Sequence, residues 1–211
     1  MPNYVIDEKN AINRDRILQA LEALGKLMEL EEHQPVRLVC CGGAAMNILG
    51  TISRLTGDVD VICIAQLIKG RIRLLPGMAV SNEFDKLVGV VARKQGIKET
   101  WLNFGPASLL EFGLPPGVEN RLKRRAFGKR LIVYFVSRMD QVHLKMLAVM
   151  NPGKRQMVHL SDLMELKPRA NEVKAAVAWL LKRKTSRPYR KSLAEVLDRI
   201  GYEQIAQSIK G

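Results

Sequence analysis

Cysteine is scarce in this chain: Cys40, Cys41 and Cys63 are the only three in 211 residues. Two are adjacent, all sit inside apolar runs, and no C-x-x-C spacing occurs. That placement excludes a disulfide framework and a zinc site, and predicts buried, reduced thiols. Long apolar runs are missing as well: none approaches the ~20 residues of a membrane-spanning helix. The opening MPNYVIDEKN is polar and has no signal-peptide core. A soluble cytoplasmic protein is the expectation. His33, His143 and His159 are too scattered to form a metal-ligand set. There is no internal repeat and no low-complexity tract. Acid is also in short supply, with 34 Lys and Arg against 21 Asp and Glu, a formal charge of +13. Such a balance favours polyanions, nucleic acid or nucleotides, over acidic proteins and membranes.

What is present reads as globular, with 47% hydrophobic and 26% charged residues. The length suits one domain, or one domain with an appendage. Ile17, Leu18, Leu21, Leu24, Leu27 and Met28 recur at helical spacing between Ala11 and Leu30, with Asn10 or Asn13 as the cap. VRLVCC (36–41) is a short apolar strand, Gly42-Gly43 a tight turn, and AAMNIL a helix start. GDVDVICIA (57–65) follows as a second strand. SNEFDKLVGVVARKQGI (81–97) is a helix capped by Ser81, with Phe84, Leu87, Val88 and Val91 on one face. KETWLNFGPASLLEFGLPPGVENR is mostly loop, and KRLIVYFV (129–136) a strand. Helices at about 139–150, through Asp162 to Leu166 and over 171–184 come next, with an NPGK turn at 151–154. TSRPYRK interrupts that pattern before one or two closing helical segments.

The chemistry concentrates in SRLTGDVDV (53–61). Arg54, Thr56, Asp58 and Asp60 fall at two-residue spacing, which in a strand puts them on one face and Leu55, Val59 and Val61 on the other. Two carboxylates so close cost several kcal/mol if buried together and unpaired. A divalent cation resolves the repulsion, and Mg²⁺ suits oxygen ligands supplemented by water and substrate phosphates. The Gly42–Ala45 turn offers backbone N–H groups for those phosphates. Metal-assisted phosphoryl or nucleotidyl transfer is the reaction class these parts suggest. A purely structural glycine turn and a solvent-facing Arg54–Asp58 pair is the plainer account.

LVCCGGAAMNILGTISRLTGDVDVI resembles the signature of the DNA polymerase β-like nucleotidyltransferase superfamily, a glycine pair on a turn followed by D-x-D on the next strand. The R-x-T-x-D-x-D form is similar to the small prokaryotic branch that includes AbiEii-like abortive-infection toxins. GIKETWLNFGPASLL resembles the W-L-N segment of that branch. LIVYFVSRMDQVHLKMLAV with HLSDLMEL resembles its strand, helix-borne lysine and later aspartate, so coverage runs over about 36–168. The resemblance implies that Gly42 and Gly43 contact a triphosphate, Asp58 and Asp60 hold Mg²⁺, a pair of ions in all, and Arg54 and Thr56 support them. It also implies that Lys145 neutralises phosphate charge and that Asp162 orients it or acts on the attacking group. Lys145 as a snorkelling surface lysine and Asp162 as a helix cap beside Ser161 are the structural alternatives. Two departures stand out: Gly43 replaces a serine found in many members, and LIVYFV supplies no third carboxylate, leaving Asp140, Glu111 or Asp162 as substitutes. An acidic residue often stands near the position of His159.

RLKRRAFGKR (121–130) and KRKTSRPYRK (182–191) each hold six bases and no acid. Arg124 and Arg125 in the first run, and Arg183, Lys184, Arg187 and Arg190 in the second, are candidates to track a phosphate backbone, with Tyr189 placed to stack on a base. A solvated basic face is the alternative. Trp101 and Trp179 read as core anchors and the methionines as core filler. The expectation is therefore an α/β nucleotidyltransferase-like domain over 1–170, with a small mixed sheet flanked by helices, and a basic helical extension over 171–211. The substrates would be an NTP and an acceptor hydroxyl, on RNA such as a tRNA 3′ end or on a protein, with an antitoxin as a further candidate partner. A catalytically inactive protein of the same fold, binding RNA or protein, is the rival class.

Overall fold

The computed structural model describes residues 11–76, 80–151, 153 and 155–210. Contacts divide the chain into two units, one holding the described residues up to Ser137 and the other running from Arg138 onward. The sequence pattern instead divides the chain at 170, and places the two helices after Ser137 with the sheet.

A mixed six-stranded sheet forms the first unit. Its strands are β1 (Val36–Cys41), β2 (Val59–Ile68), β3 (Arg71–Pro76), β4 (Leu102–Asn103), β5 (Lys123–Phe127) and β6 (Leu131–Phe135). They run in the order β3-β2-β1-β6-β5, with β4 pairing the start of β2. β1 and β6 are parallel, whereas β1–β2, β2–β3 and β5–β6 are antiparallel. β1 is the middle strand, which explains its unbroken apolar run: Leu38, Val39 and Cys40 are completely buried.

Helices α1 (Arg14–Leu30), α2 (Gly42–Ile48), α3 (Asn82–Gln95) and the short α4 (Ser108–Phe112) accompany the sheet. α1 starts where Asn13 accepts a 2.9 Å bond from the Arg16 N–H, the expected cap; Asn10 lies outside the described residues. Ile17, Leu21, Leu24 and Met28 are fully buried, each contributing about 1.5–3 kcal/mol of transfer free energy. Gly25 sits in the same helix because a Cβ there would overlap the Phe127 carbonyl oxygen and lie 2.8 Å from its carbon, so glycine lets α1 rest on the β5 backbone. α3 begins at the Ser81 cap and stops where Gly96 turns left-handed, φ 59°. Its packed face holds Phe84, Val88, Val91 and Ala92, with Leu87 at the margin.

Three expectations for this unit need correction. β2 begins at Val59 rather than Gly57 and runs on to Ile68. β3 and β5 are strands that the sequence pattern left unassigned, the second inside the basic run at 121–130. The W-L-N segment, expected as loop, supplies β4, and Trp101 anchors it, fully buried with its indole N–H donating to the Val88 carbonyl at 3.1 Å.

The second unit contains α5 (Arg138–Met150), α6 (Gln156–Leu166), α7 (Ala170–Leu181), α8 (Arg187–Arg199) and α9 (Glu203–Ile209). α6 is longer than expected and α7 three residues shorter at its end. Of the NPGK turn, Pro152 and Lys154 lie outside the described residues. Arg138 ties the unit together, pairing with Glu172 of α7 and donating to the Leu166 and Lys167 carbonyls at the end of α6. Tyr202, between α8 and α9, donates its hydroxyl to the Pro168 carbonyl. Among the described residues no helix is long and apolar enough to cross a membrane.

Candidate active site

The glycine pair and the acidic segment meet in the first unit. β1 ends at Cys41, whose register partner on β2 is Asp60. Gly42 then takes φ +73°, a left-handed conformation that favours glycine. A Cβ at Gly42 would overlap the Asp60 Oδ2 atom and lie 3.3 Å from Cγ. One at Gly43 would lie 2.8 Å from the Thr56 hydroxyl oxygen and 3.2 Å from Arg54 Nη2. Both glycines are thus required by side chains pressed onto them, and those side chains are three of the four singled out in the sequence. A serine at position 43 would bring its Cβ within 2.8 Å of the Thr56 hydroxyl, so one of the two would have to shift.

Local structure holds these groups in place. Thr56 is bridged to Ile12 by two backbone bonds, 2.7 and 3.0 Å, and is almost completely buried. Asn47 of α2 donates to the Arg54 carbonyl at 2.7 Å, and the Arg54 guanidinium reaches the Leu55 carbonyl at 2.7 Å. Thr56 Oγ1 donates to the Asp58 carbonyl at 3.4 Å. β4 supports the other side, with the Val59 N–H donating to the Trp101 carbonyl at 2.5 Å and Asn103 in register with Asp60. Asn103 is a site neighbour the sequence pattern did not single out; its position in W-L-N, two residues after a core tryptophan, was the available signal.

The expected geometry of the acidic segment changes in one respect. Of Arg54, Thr56, Asp58 and Asp60, only Asp60 lies on a strand. Asp58 precedes β2, and Leu55, expected in the core with Val59 and Val61, is 46% exposed. A pinned, irregular segment brings Arg54 and Thr56 to the glycines, where strand alternation was expected to do so.

Both aspartates are half-buried, and their oxygens suit a hard cation. The missing side chain of Gly42 leaves room for the Asp60 carboxylate, and oxygen donors of this kind would suit Mg²⁺. Among the described residues no group of three or more His, Cys, Asp or Glu converges as a metal site. The thiols next to the site are inert. Cys40, Cys41 and Cys63 are free and buried. Burial, with neighbouring Cys41, Asp60 and Cys63, holds the Cys40 thiol well above its ordinary value, and burial pushes Cys63 up to about 12.

In the helical unit, Lys145 of α5 donates to Asp162 Oδ2 of α6 at 2.7 Å, with His159 Nδ1 at 3.4 Å from the same ammonium. The Lys145 and Asp162 side chains are 6% and 0% exposed. A surface lysine and a helix cap are both ruled out, because Asp162 lies inside α6 and both partners are buried. His143 packs edge-on to Trp179, centroids 5.7 Å apart, with its Nδ1 2.9 Å from the Met139 carbonyl.

The basic candidates fall in both units. Arg124 on β5 is exposed, whereas Arg125 lies over the Phe127 ring at 5.4 Å. Arg183 stacks on Trp179 at 4.4 Å and bonds its carbonyl, Lys184 lies 5.2 Å over Tyr189, and Arg190 bonds the Thr185 carbonyl. Arg187 is exposed at the start of α8. Tyr189 is half-buried under Lys184 rather than standing clear between arginines. A separate cleft of about 870 Å³ opens around the start of β1 and the first turns of α3, lined by His33, Arg37, Ile64, Leu75, Ser81 and Lys86 among others. It lies at the end of β1 away from Gly42 and was not anticipated.

Comparison of the chain with protein-family models, with curated proteins and with solved structures returned no match.

Proposed function

We propose that this chain is a Mg²⁺-dependent nucleotidyltransferase that moves a nucleoside monophosphate from an NTP onto an acceptor hydroxyl, with RNA as the acceptor. The observation that carries this reading is the contact of Asp60 with Gly42, beside Thr56 and Arg54 on Gly43. The Asp60 carboxylate, the Thr56 hydroxyl and the Arg54 guanidinium gather at one glycine turn, with Asp58 two residues before Asp60 in the chain, and such a set would suit a metal-bound triphosphate.

Asp58 and Asp60 would hold the ion. A bound Mg²⁺ would supply charge neutralisation for the phosphates. Arg54, which lies against Gly43, would offset phosphate charge beside the Asp60 carboxylate on Gly42. In the reaction the acceptor oxygen forms a bond to the α-phosphorus and loses its proton, the α–β bridging bond breaks, and pyrophosphate departs. In the helical unit, Asp162 fixes the ammonium of Lys145, the arrangement implied by the resemblance for the charge-neutralising lysine.

Incubating the protein with each labelled NTP, Mg²⁺ and total RNA or total protein tests the reading. Labelled RNA that disappears with Asp58→Ala or Asp60→Asn supports it; label on protein replaces the acceptor; no label in either pool overturns the enzyme. A second reading, a binding module that keeps the fold without catalysis, is favoured by the absence among the described residues of a third acidic ligand. Calorimetry separates the two, since RNA binding indifferent to Mg²⁺ and NTP belongs to the module. A toxin role with an antitoxin partner is tested by growth arrest on expression and its dependence on Asp60.

A further inference from the structure

β2 and β3 outrun the sheet that carries them. β1 is in register with β2 only as far as Ile64, while β3 continues to pair with β2 through Ala65, Gln66, Leu67 and Ile68. Residues 65–74 are therefore a two-stranded ribbon reaching beyond β1 by four residues of β2, about 13 Å at the usual strand rise. Lys69 and Gly70 turn its tip, both with positive φ, 49° and 75°, the conformation of the tight two-residue hairpin turn.

The composition of this ribbon is one-sided. No Asp or Glu occurs between Val61 and Pro76, while Lys69, Arg71 and Arg73 all lie on the ribbon. Gln66 is the register partner of Arg73 and Ile68 that of Arg71, so these four side chains share one face, with Lys69 at the tip. Gln66, Ile68, Lys69, Arg71 and Arg73 are exposed. The side chains of Gln66, Lys69, Arg71 and Arg73 make no hydrogen bond or ion pair with any described residue. Three cations without a neutralising partner among the described residues, on a ribbon that outruns the central strand, form a surface complementary to a polyanion.

We propose that this ribbon is a docking arm for the body of the RNA acceptor, its cations following the phosphate backbone. The proposal rests on the nucleotidyltransferase reading for its choice of RNA. Phosphate contact supplies most of the affinity and carries no sequence information. The ribbon holds no aromatic side chain, so it grips the backbone rather than stacking bases, which suits an arm that must accept a strand at any register. Gln66 is its one uncharged polar side chain, and its amide can both donate to and accept from a 2′-hydroxyl, the group that distinguishes RNA from DNA. Asp60 lies on the same strand eight residues before Ile68, the last residue of β2, about 26 Å away by strand rise, so the arm holds the acceptor away from its reacting end.

The test uses the full chain and fluorescence anisotropy with labelled single-stranded RNA and DNA of one sequence, about 20 nucleotides long, across a KCl series. For the Lys69→Ala/Arg71→Ala/Arg73→Ala variant, RNA affinity falls about tenfold or more and the log–log salt slope flattens by about 2, the release expected for three cations on a single strand. The charge-keeping Arg71→Lys/Arg73→Lys variant retains the slope. Gln66→Ala narrows the preference for RNA over DNA. Unchanged affinity and slope in the triple variant overturn the arm. So does a variant that aggregates while its soluble fraction binds RNA normally, since the cations then only guard an open edge. Equal wild-type affinity for RNA and DNA overturns RNA as the occupant. Mg²⁺-dependent NTP binding, followed by calorimetry on the same proteins, is unaffected by the triple variant. If wild type binds no NTP while the slope change stands, the enzyme reading fails and the arm survives.

Discussion

Gly42 and Gly43 concentrate at residue scale what separates this site from an ordinary strand-to-helix turn. A methyl group at Gly42 would be forced onto Asp60 from a backbone at φ +73°. Gly42→Ala is therefore expected to cost about 1–3 kcal/mol of stability, read by urea unfolding, and to abolish Mg²⁺-dependent NTP binding. Gly43→Ser restores the residue common at that position in the resembling superfamily, yet its Cβ would meet Thr56 at 2.8 Å. The expected outcome is lower activity, recovered when Thr56→Ala makes room, in a nucleotide-transfer assay of both variants. Glu172 gives a pH dependence of the opposite origin. Burial alone would raise its carboxyl, but hydrogen bonds from Arg138 and from the Arg169 N–H at 2.7 Å outweigh burial and hold it below the ordinary value. A carboxylate so lowered stabilises the fold fully above the unfolded value, about pH 4.3, and loses that contribution as pH falls through the folded value. Glu172→Gln should thus cost about 1–2 kcal/mol at neutral pH, a gap that closes below about pH 4.3 in acid-unfolding curves.

Among the elements, the ones most legible in the sequence were those whose pattern is enforced by burial. β1 was readable residue for residue because both of its faces are covered, and α1 and α3 because caps and apolar stripes agree. β3 and β5 were missed because they are edges, where arginine and lysine replace the apolar residues by which strands are recognised; RIRLL still carries the period of two that marks a strand. Convergence on the glycines was legible as proximity but not as geometry. A spacing of two suggested a strand face, whereas Thr56 is placed by its bridge to Ile12, a pairing across more than forty residues that no local pattern encodes. The Lys145–Asp162 pair between α5 and α6 was legible only as two positions, since their 2.7 Å contact depends on how the helices pack. Its burial makes a direct prediction. Asp162→Leu or Lys145→Met alone leaves a buried charge without its partner and should cost about 3–5 kcal/mol, while Lys145→Met/Asp162→Leu together should recover most of it. Denaturant unfolding of the three variants gives the coupling; strictly additive losses would mean that the pair is not the unit of stability.

For the whole molecule the dominant quantity is the formal charge of +13, because it acts on stability and on binding with opposite signs. Like charges repel within the folded chain, so a protein so far from neutrality is destabilised by its own field at low ionic strength. Added salt screens that repulsion over a Debye length of about 10 Å at 0.1 M, and the melting temperature should rise between low and moderate KCl. A polyanion acts more strongly than simple salt, since it binds the folded surface and adds RT ln(1 + [L]/Kd), about 2.7 kcal/mol at a hundredfold excess over Kd. RNA at low salt is thus expected to raise the melting temperature well beyond the effect of KCl alone. At high salt the two curves should converge, because counterion release no longer favours binding. Thermal melts along a KCl series, with and without RNA, measure both terms on one protein. A stabilisation by RNA that persists undiminished at high salt would mean that the complex rests on apolar or base-specific contacts, and that the cations exposed on the sheet and around the α7–α8 turn are solvated surface.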